Sequence, residues 1–476
     1  MEVATLLGRC VDCSERRRRT RAAGAPLRAV RDCRDDAAHR RLPAAAAAPR
    51  SARRAVRRAV RRALPANQLP QARVRAAARP QLQARAGAVT SPAAPLRTAL
   101  ALALGAAVSL GLARFSYALL LPPMRADLGW SYTTAGAMNT LNAAGYFVGA
   151  LALPPALARI DARALFLGGC VGTVLTLALH GLVSADAALY LLRFASGVTS
   201  AATFASGGLL AARIGGARAG IVLGLYYGGT GVGIVASALL VPPLAGRSAA
   251  HAWQLAWWAL AAAALLATAA AAAATRALHS PPVAAAARVP VAWRSFAFGL
   301  AGYGAFGLGY IGYMTFIVGL LRERQVPPAQ ILVFYVLLGL AVIASSWLWA
   351  GLLQRWRGGG PLALLNALLA LATLLPVLSV EPLVVFASGL LFGAVFLSVV
   401  ASTTAFVRHN LPPAAWPAGI AAYTIVFAAG QIIGPTLTGW LSDTGGLARG
   451  LAWSAGMLAV GVLLALLQRP LPPPPA

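Results

Sequence analysis

Lysine is absent from this 476-residue chain, and acids are scarce: 12 Asp and Glu stand against 41 basic residues. So much Arg without Lys reads as a GC-rich genome rather than as nucleic-acid chemistry, and no nucleic-acid partner is expected. Cysteine is nearly absent too, at Cys10, Cys13, Cys33 and Cys170. Cys10-x-x-Cys13 has no second CxxC and no His pair to complete a zinc site, so no metal is expected. No Walker sequence or Rossmann strand context occurs, which argues against ATP-driven work; no cofactor is expected. No nucleophile–base pair appears, so an enzyme is not expected. Charged residues are only 11% of the chain, hydrophobic residues are 59%, and mean hydropathy is +0.70. No soluble domain of this length needs so much apolar surface, so the solvent must be a lipid bilayer.

The net charge of +29 is split along the chain. Residues 1–95 hold 22 Arg and 6 acids with no spanning segment, and residues 96–476 hold 19 Arg and 6 acids. The leader repeats Arg pairs at Arg53-Arg54, Arg57-Arg58 and Arg61-Arg62, which would stack on one helix face. It reads as a disordered cytoplasmic arm or an upstream extension from a misplaced start codon. A transit peptide and a lipid- or RNA-binding arm are the other readings. A secretory signal is excluded by the lack of a compact apolar stretch before a cleavage site.

From Leu96 onward the apolar runs predict about twelve transmembrane helices, each of the roughly 20 residues a bilayer needs. They lie near 96–121, 133–157, 164–183, 187–212, 219–244 and 252–274, then 295–321, 329–353, 361–380, 382–407, 415–441 and 447–467. Continuous runs rather than alternation exclude a β-barrel. Alternate loops carry Arg in excess, which places both termini in the cytoplasm. The expected organisation is a leader (1–95), a six-helix bundle (96–275), a cytoplasmic linker (276–294), a second six-helix bundle (295–469) and a Pro-rich tail (470–476).

The halves look like copies. Gly111 to Tyr117 matches Gly307 to Tyr313, Phe194-Ala-Ser-Gly197 recurs as Phe386-Ala-Ser-Gly389, and Gly229-x-x-x-Gly233 recurs as Gly430-x-x-x-Gly434. The offsets are 196, 192 and 201 residues, in corresponding helices. An even number of spans per half makes the repeat parallel, with substrate between the halves near the midplane. The glycines read as close-packing positions, and Pro435 as a hinge.

On these features the chain resembles the major facilitator superfamily over all of 96–476. Arg193-Phe-Ala-Ser-Gly197 is similar to that superfamily's fourth-helix RxxxG motif. Gly351-Leu-Leu-Gln-Arg355 is similar to its GxxxD(R/K)xG loop motif, with Gln354 or Arg355 in place of the Asp. More narrowly, Arg114-Phe-x-Tyr117 with Leu121-Pro122 and Met124 resembles the YbfB/YjiJ-type transporters. So do Asn142-x-x-Gly-Tyr146, Gly309-Tyr310, Thr315-Phe316 and Gly430-Gln431-x-x-Gly434-Pro435. The resemblance implies a secondary transporter of the bacterial inner membrane and supplies no substrate. Gly228 to Gly233 lacks the Pro of the helix-five antiporter motif, which lowers the case for drug–proton antiport.

Arg114 and Arg193 each sit in an otherwise apolar run, where an arginine costs roughly 2.5–3.5 kcal/mol by insertion scales. Counted along the predicted helices they lie roughly 12 and 9 Å below the outer boundary, at similar depth. No Asp or Glu lies deep in a span to neutralise them. Snorkelling to the headgroups, a structural bond to helix carbonyls, and pairing with the edge acids Asp127 or Asp186 are the structural readings. The functional reading is a cationic cavity floor, since the planar guanidinium holds a carboxylate through two hydrogen bonds. Tyr117, Asn139, Asn142, Tyr146, Tyr226, Tyr227, Tyr303, Tyr310, Tyr313 and Gln431 are candidate lining residues, with packing as the competing role for each Tyr. Gly197, Gly229, Gly233, Gly351, Arg355, Gly430, Gly434 and Pro435 are the candidate structural or gating residues. His180, near the end of the third helix, is the nearest candidate for proton coupling.

The expected protein is an all-α secondary transporter, a monomer moving a small organic solute, expected to be an anion, by alternating access, with a proton as the candidate coupled ion. The alternative is an efflux transporter of neutral or amphipathic compounds whose arginines are structural.

Overall fold

The computed structural model describes residues 95–280, 291–412 and 415–471. The Arg-rich leader with Cys10 and Cys13, most of the linker and the end of the Pro-rich tail lie outside the described residues. Every regular element among those described is helical. Long apolar runs favour this outcome because a helix satisfies its own backbone groups where no water can.

The helices are α1 (Leu96–Leu128), α2 (Tyr132–Leu157), α3 (Ala162–His180), α4 (Asp186–Gly215), α5 (Ala219–Ala245), α6 (Trp253–Ala274), α7 (Ala297–Glu323), α8 (Pro328–Arg355), α9 (Gly360–Leu378), α10 (Pro382–Asn410) and α11 (Trp416–Leu467). Ten of them are long and apolar enough to cross a membrane. The exception is α4, whose run is diluted by Ser, Thr and Gly. α11 covers 52 residues and breaks at Gly445 and Gly446 into arms 416–444 and 447–467. Gly446 has φ +78, a left-handed conformation that a side chain would strain.

The ends are set by local chemistry. The Ser131 side chain accepts from Thr134 N to start α2, and Asp161 accepts from Arg163 N and Ala164 N to start α3. Pro328 and Pro382 open α8 and α10, where a missing N–H is harmless. α1 differs from the sequence expectation. It does not stop at Leu121 but runs through Pro122-Pro123 and the charged Arg125 and Asp127 to a left-handed cap at Gly129.

The repeated glycines make equivalent contacts in the two halves. A Cβ on Gly197 of α4 would lie 2.1 Å from the Asn142 carbonyl of α2, and one on Gly389 of α10 would meet the Phe334 ring of α8 at 2.8 Å. Gly229 and Gly233 of α5 face Ala103, Ala107 and Gly111 of α1; Gly430 and Gly434 of α11 face Gly304, Gly307 and Leu308 of α7. Only a hydrogen fits at these crossings. The halves touch along α2 and α11, along α5 and α8, and where α1 meets α7.

Candidate functional site

α1 carries an unusual segment. Residues Ala107–Phe115 form a π-helix, a form that is rare and concentrated at functional sites. Its carbonyls are taken by side chains. Ser200 of α4 donates to Ser109 O (2.9 Å), Ser116 to Leu112 O (2.5 Å), Arg193 to Ala113 O (2.9 Å) and Tyr335 of α8 to Phe115 O (2.6 Å). Arg114 therefore sits on backbone braced from both halves.

Arg193 is fully buried, with 0% exposure. Its guanidinium donates to Ala113 O at 2.9 Å, Asn139 Oδ1 at 2.6 Å and, more weakly, Met138 O at 3.4 Å. It also lies 4.7 Å from the Tyr117 ring centre, a favourable cation–π contact. Asn139 passes the chain on to Thr315 of α7 at 2.8 Å, and Thr315 donates to Ile311 O. Tyr117 donates to Ala135 O, and Asn142 donates to the Arg193 carbonyl. These residues form a structural network at which Arg193 is the centre. The sequence expectation of Arg193, Tyr117, Asn139 and Asn142 as solute-facing residues meets side chains already committed to protein acceptors.

Arg114 is also buried, at 5% exposure, but its hydrogen bonding differs. One amino group donates to the Gln431 side-chain oxygen of α11, its Nε has no partner, and its carbon lies 5.6 Å from the Tyr146 ring centre. Pro435 cannot donate to the Gln431 carbonyl four residues before it, so the helix is open at the turn that presents Gln431. The bond from Arg193 to Ala113 O puts the two arginines at one level, although Arg114 is 14 residues, or roughly 21 Å, from the end of the extended α1.

Neither arginine meets a carboxylate. Among the described residues the one ion pair is His251–Asp127, and Asp127 also accepts from Trp253 at 2.6 Å. Asp186 accepts from Trp130 at 2.8 Å. Asp443 of α11 accepts from Tyr132 N, Thr133 N and Thr133 Oγ1, and Tyr132 donates to Glu323. Pairing with Asp127 or Asp186 is thus replaced by pairs at one end of the bundle.

The remaining candidates divide by their surroundings. Tyr146 and Tyr227 are half-buried; Tyr226 is buried and donates to Phe204 O at 2.7 Å. Tyr313 is buried against Phe392 at 4.0 Å and shares a hydrogen bond with Ser388 at 2.6 Å, so it packs within one half. Tyr303 and Tyr310 join Phe306, Phe396 and Phe427 in a wall of near-parallel rings. Phe306, Phe427 and Phe396 were absent from the sequence-predicted set. For Phe306 a signal was present: Tyr303, Phe306 and Tyr310 recur at helical spacing on one face of α7. Gly351 and Arg355 lie exposed at the end of α8, and a Cβ on Gly351 would meet no atom within 4 Å. His180 is the last residue of α3, as expected, and it is buried, stacked on Trp257 at 4.4 Å with its Nδ1 2.6 Å from Thr176 O. An apolar cleft of about 410 Å³ between α1, α5, α6 and α8 holds no charged side chain.

A bundle of apolar helices with close-packed glycine crossings and one charged, cross-half contact at its centre is the architecture of a multi-pass membrane transporter. Solved structures share the fold. A bacterial homologue of the human lysosomal transporter Spinster, inward-facing and unoccupied, aligns with TM-score 0.62 at 15% identity, covering 79% of this chain and 98% of that one. The nucleoside transporter NupG gives 0.59 at 13% identity, with 79% and 98% covered. The human organic anion transporter MFSD10 gives 0.55 at 14% identity, with 78% and 99% covered. No curated protein matches. Residues 106–466 match the family described as "Uncharacterised MFS-type transporter YbfB", and the chain belongs to that family of major facilitator transporters.

Proposed function

We propose that the chain is a twelve-span secondary transporter that moves a small organic anion by alternating access. The count of twelve takes α4 and the two arms of α11 as spans. One observation carries the substrate charge: Arg114 is nearly buried between the halves, has no carboxylate, and keeps an unpartnered Nε. Gln431 satisfies one of its hydrogens and none of its charge. A carboxylate entering from solution would do both, because charge-assisted bonds are about twice as strong as neutral ones. It would displace Gln431 from Arg114 and so loosen a tie between α1 and α11, coupling binding to the movement of the halves.

The excess of Arg on alternate loops supports a bacterial inner-membrane protein with both termini in the cytoplasm. In that orientation the Tyr132, Glu323 and Asp443 contacts close the outer end. A monomer contains the whole site. With His180 stacked on Trp257 and its Nδ1 beside Thr176 O, a coupled proton would travel on the substrate carboxylate. The alternative, efflux of neutral compounds with structural arginines, suits Arg193 but not the open Nε of Arg114.

A thermal-shift screen of the purified chain against organic acids and amines tests the reading. An acid that stabilises the wild type but not Arg114→Ala supports it. Normal expression of Arg114→Ala with unchanged transport of every solute overturns it.

A further inference from the structure

The apolar cleft between the halves is a trough that opens sideways. α1, α5 and α6 of the first half, with Ile343 and Trp347 of α8, enclose about 410 Å³. Close-packed interiors leave few voids even the size of a water molecule. The buried floor is made of small residues, Ala103, Ala107, Gly228 and Gly229. On the walls Leu100, Val232 and Trp347 are 55%, 48% and 44% exposed, so the trough faces the surroundings. Water needs two or more polar partners to fill such a space, and these walls are apolar. Hydrocarbon fits them.

One end of the same four helices is cationic. Arg97 stands three, four and seven residues before Leu100, Ala101 and Leu104, on their face of α1. On α8, Gly351 and Arg355 continue the row of Trp347 at steps of four, and a Cβ on Gly351 would meet no atom within 4 Å. Arg218 immediately precedes α5, and Arg276 follows α6 by two residues. A Cβ on Gly224 would lie 3.2 Å from the Trp347 indole nitrogen, which brings the start of α5 to the end of α8. All four arginines are exposed, and among the described residues none of their guanidiniums has a protein acceptor. Asp161 is the one described acid at this end, and Ser280 N, Arg163 N and Ala164 N occupy it.

We infer that the trough is a binding site for an anionic phospholipid, one acyl chain lying against Leu100, Val232 and Trp347 and the phosphate held by Arg97 and Arg355. Arg suits the headgroup because its planar fork pairs with phosphate oxygens, and basic pockets between membrane helices recruit anionic lipids. The chain would touch both halves at once, so the lipid stabilises the arrangement in which α5 and α8 cross.

The test delipidates the purified full-length chain in neutral detergent and adds back phosphatidylglycerol, phosphatidylethanolamine or inorganic phosphate, read by native mass spectrometry and thermal shift. Phosphatidylglycerol should be retained at one per chain, raise the melting temperature and bind about tenfold tighter than phosphatidylethanolamine, since each cation near a membrane surface contributes about fivefold. Inorganic phosphate should give no shift. Arg97→Gln combined with Arg355→Gln should keep the lipid-free melting temperature and lose the preference. Arg159→Gln, an exposed cation between α2 and α3, should keep it. Ala270→Phe, which places a ring in the trough from an exposed position, should lose retention of both lipids; if it does not fold, the arginine variants decide. Equal retention of the two lipids, a shift from phosphate alone, a preference that Arg159→Gln removes as fully as the Arg97 and Arg355 pair, or undiminished retention in a folded Ala270→Phe overturns the site.

Discussion

Arg193 donates to three protein acceptors and lies over the Tyr117 ring, whereas Arg114, one helix away, donates to a single amide oxygen and leaves its Nε open. Both are buried at one level of the same half, and both lack a carboxylate. The difference lies in what surrounds each head group. α2 and the π-helix of α1 wrap Arg193 with carbonyls, so its charge is spread over dipoles within one half. Arg114 faces the seam, where its protein partner belongs to the other half. A buried cation is therefore informative about function only after its hydrogen bonds are counted.

The largest expected effect breaks the Arg193 side of that comparison. Arg193→Ala leaves Ala113 O and Asn139 Oδ1 without donors in a region that water does not reach. Each orphaned group costs about 1–3 kcal/mol, and the protein should lose about 3–5 kcal/mol in all. A sharp fall in melting temperature and in monodisperse yield checks this. Arg193→Lys should rescue little, because a point ammonium does not reach the acceptors that a planar fork spans. Retention of wild-type stability by Arg193→Ala would remove the distinction between the two sites.

Next in size, and opposite in kind, is Arg114→Gln. Folding should change by less than about 1 kcal/mol, since the one protein partner is a neutral amide that pairs equally well with another amide. Affinity for a stabilising carboxylate should fall by about 2–3 kcal/mol, the scale of charge-assisted bonds lost from a shielded site. Calorimetry on both proteins measures it.

The sequence carried the helical class directly, because apolar runs of bilayer length have few other solutions, and the glycine repeats carried the paired crossings. α4 shows the limit of hydropathy alone, since Ser, Thr and Gly that serve close packing look polar on a scale. The end of α1 was missed because Pro122, Pro123, Arg125 and Asp127 resemble a loop. Arg114 and Arg193 stood out as charges, yet nothing local separates them: the acceptors of Arg193 come from residues 113, 138 and 139, and the partner of Arg114 is 317 positions away. The π-helix has no local signature either, since its carbonyls are stabilised by Ser200, Arg193 and Tyr335 from other helices.

A smaller effect is expected at the far end of the seam. Asp443 accepts two backbone N–H groups at the start of α2, where a negative charge is worth about 0.3–1 kcal/mol. Asp443→Asn should weaken that tie and raise, by severalfold at most, the rate at which a thiol reagent reaches Ala137→Cys in an otherwise cysteine-free chain. Anion affinity should move little, because Asp443 does not touch Arg114.

The smallest effect sharpens the comparison most finely. Leu119 N and Leu120 N both donate to Ser116 O, so the preceding carbonyl, Phe115 O, takes its hydrogen from Tyr335 of the opposite half. This brace is one residue from Arg114 and has no counterpart on Arg193, whose own carbonyl accepts from Asn142 in the same half. Tyr335→Phe keeps the ring and removes one buried hydrogen bond, for about 1 kcal/mol or less. If the seam rather than the N-terminal half positions Arg114, carboxylate affinity should fall up to about fivefold while melting of the Arg193→Ala variant is shifted additively. Unchanged affinity in Tyr335→Phe would mean that α1 holds Arg114 without help from the other half, and that only Gln431 links it to the motion.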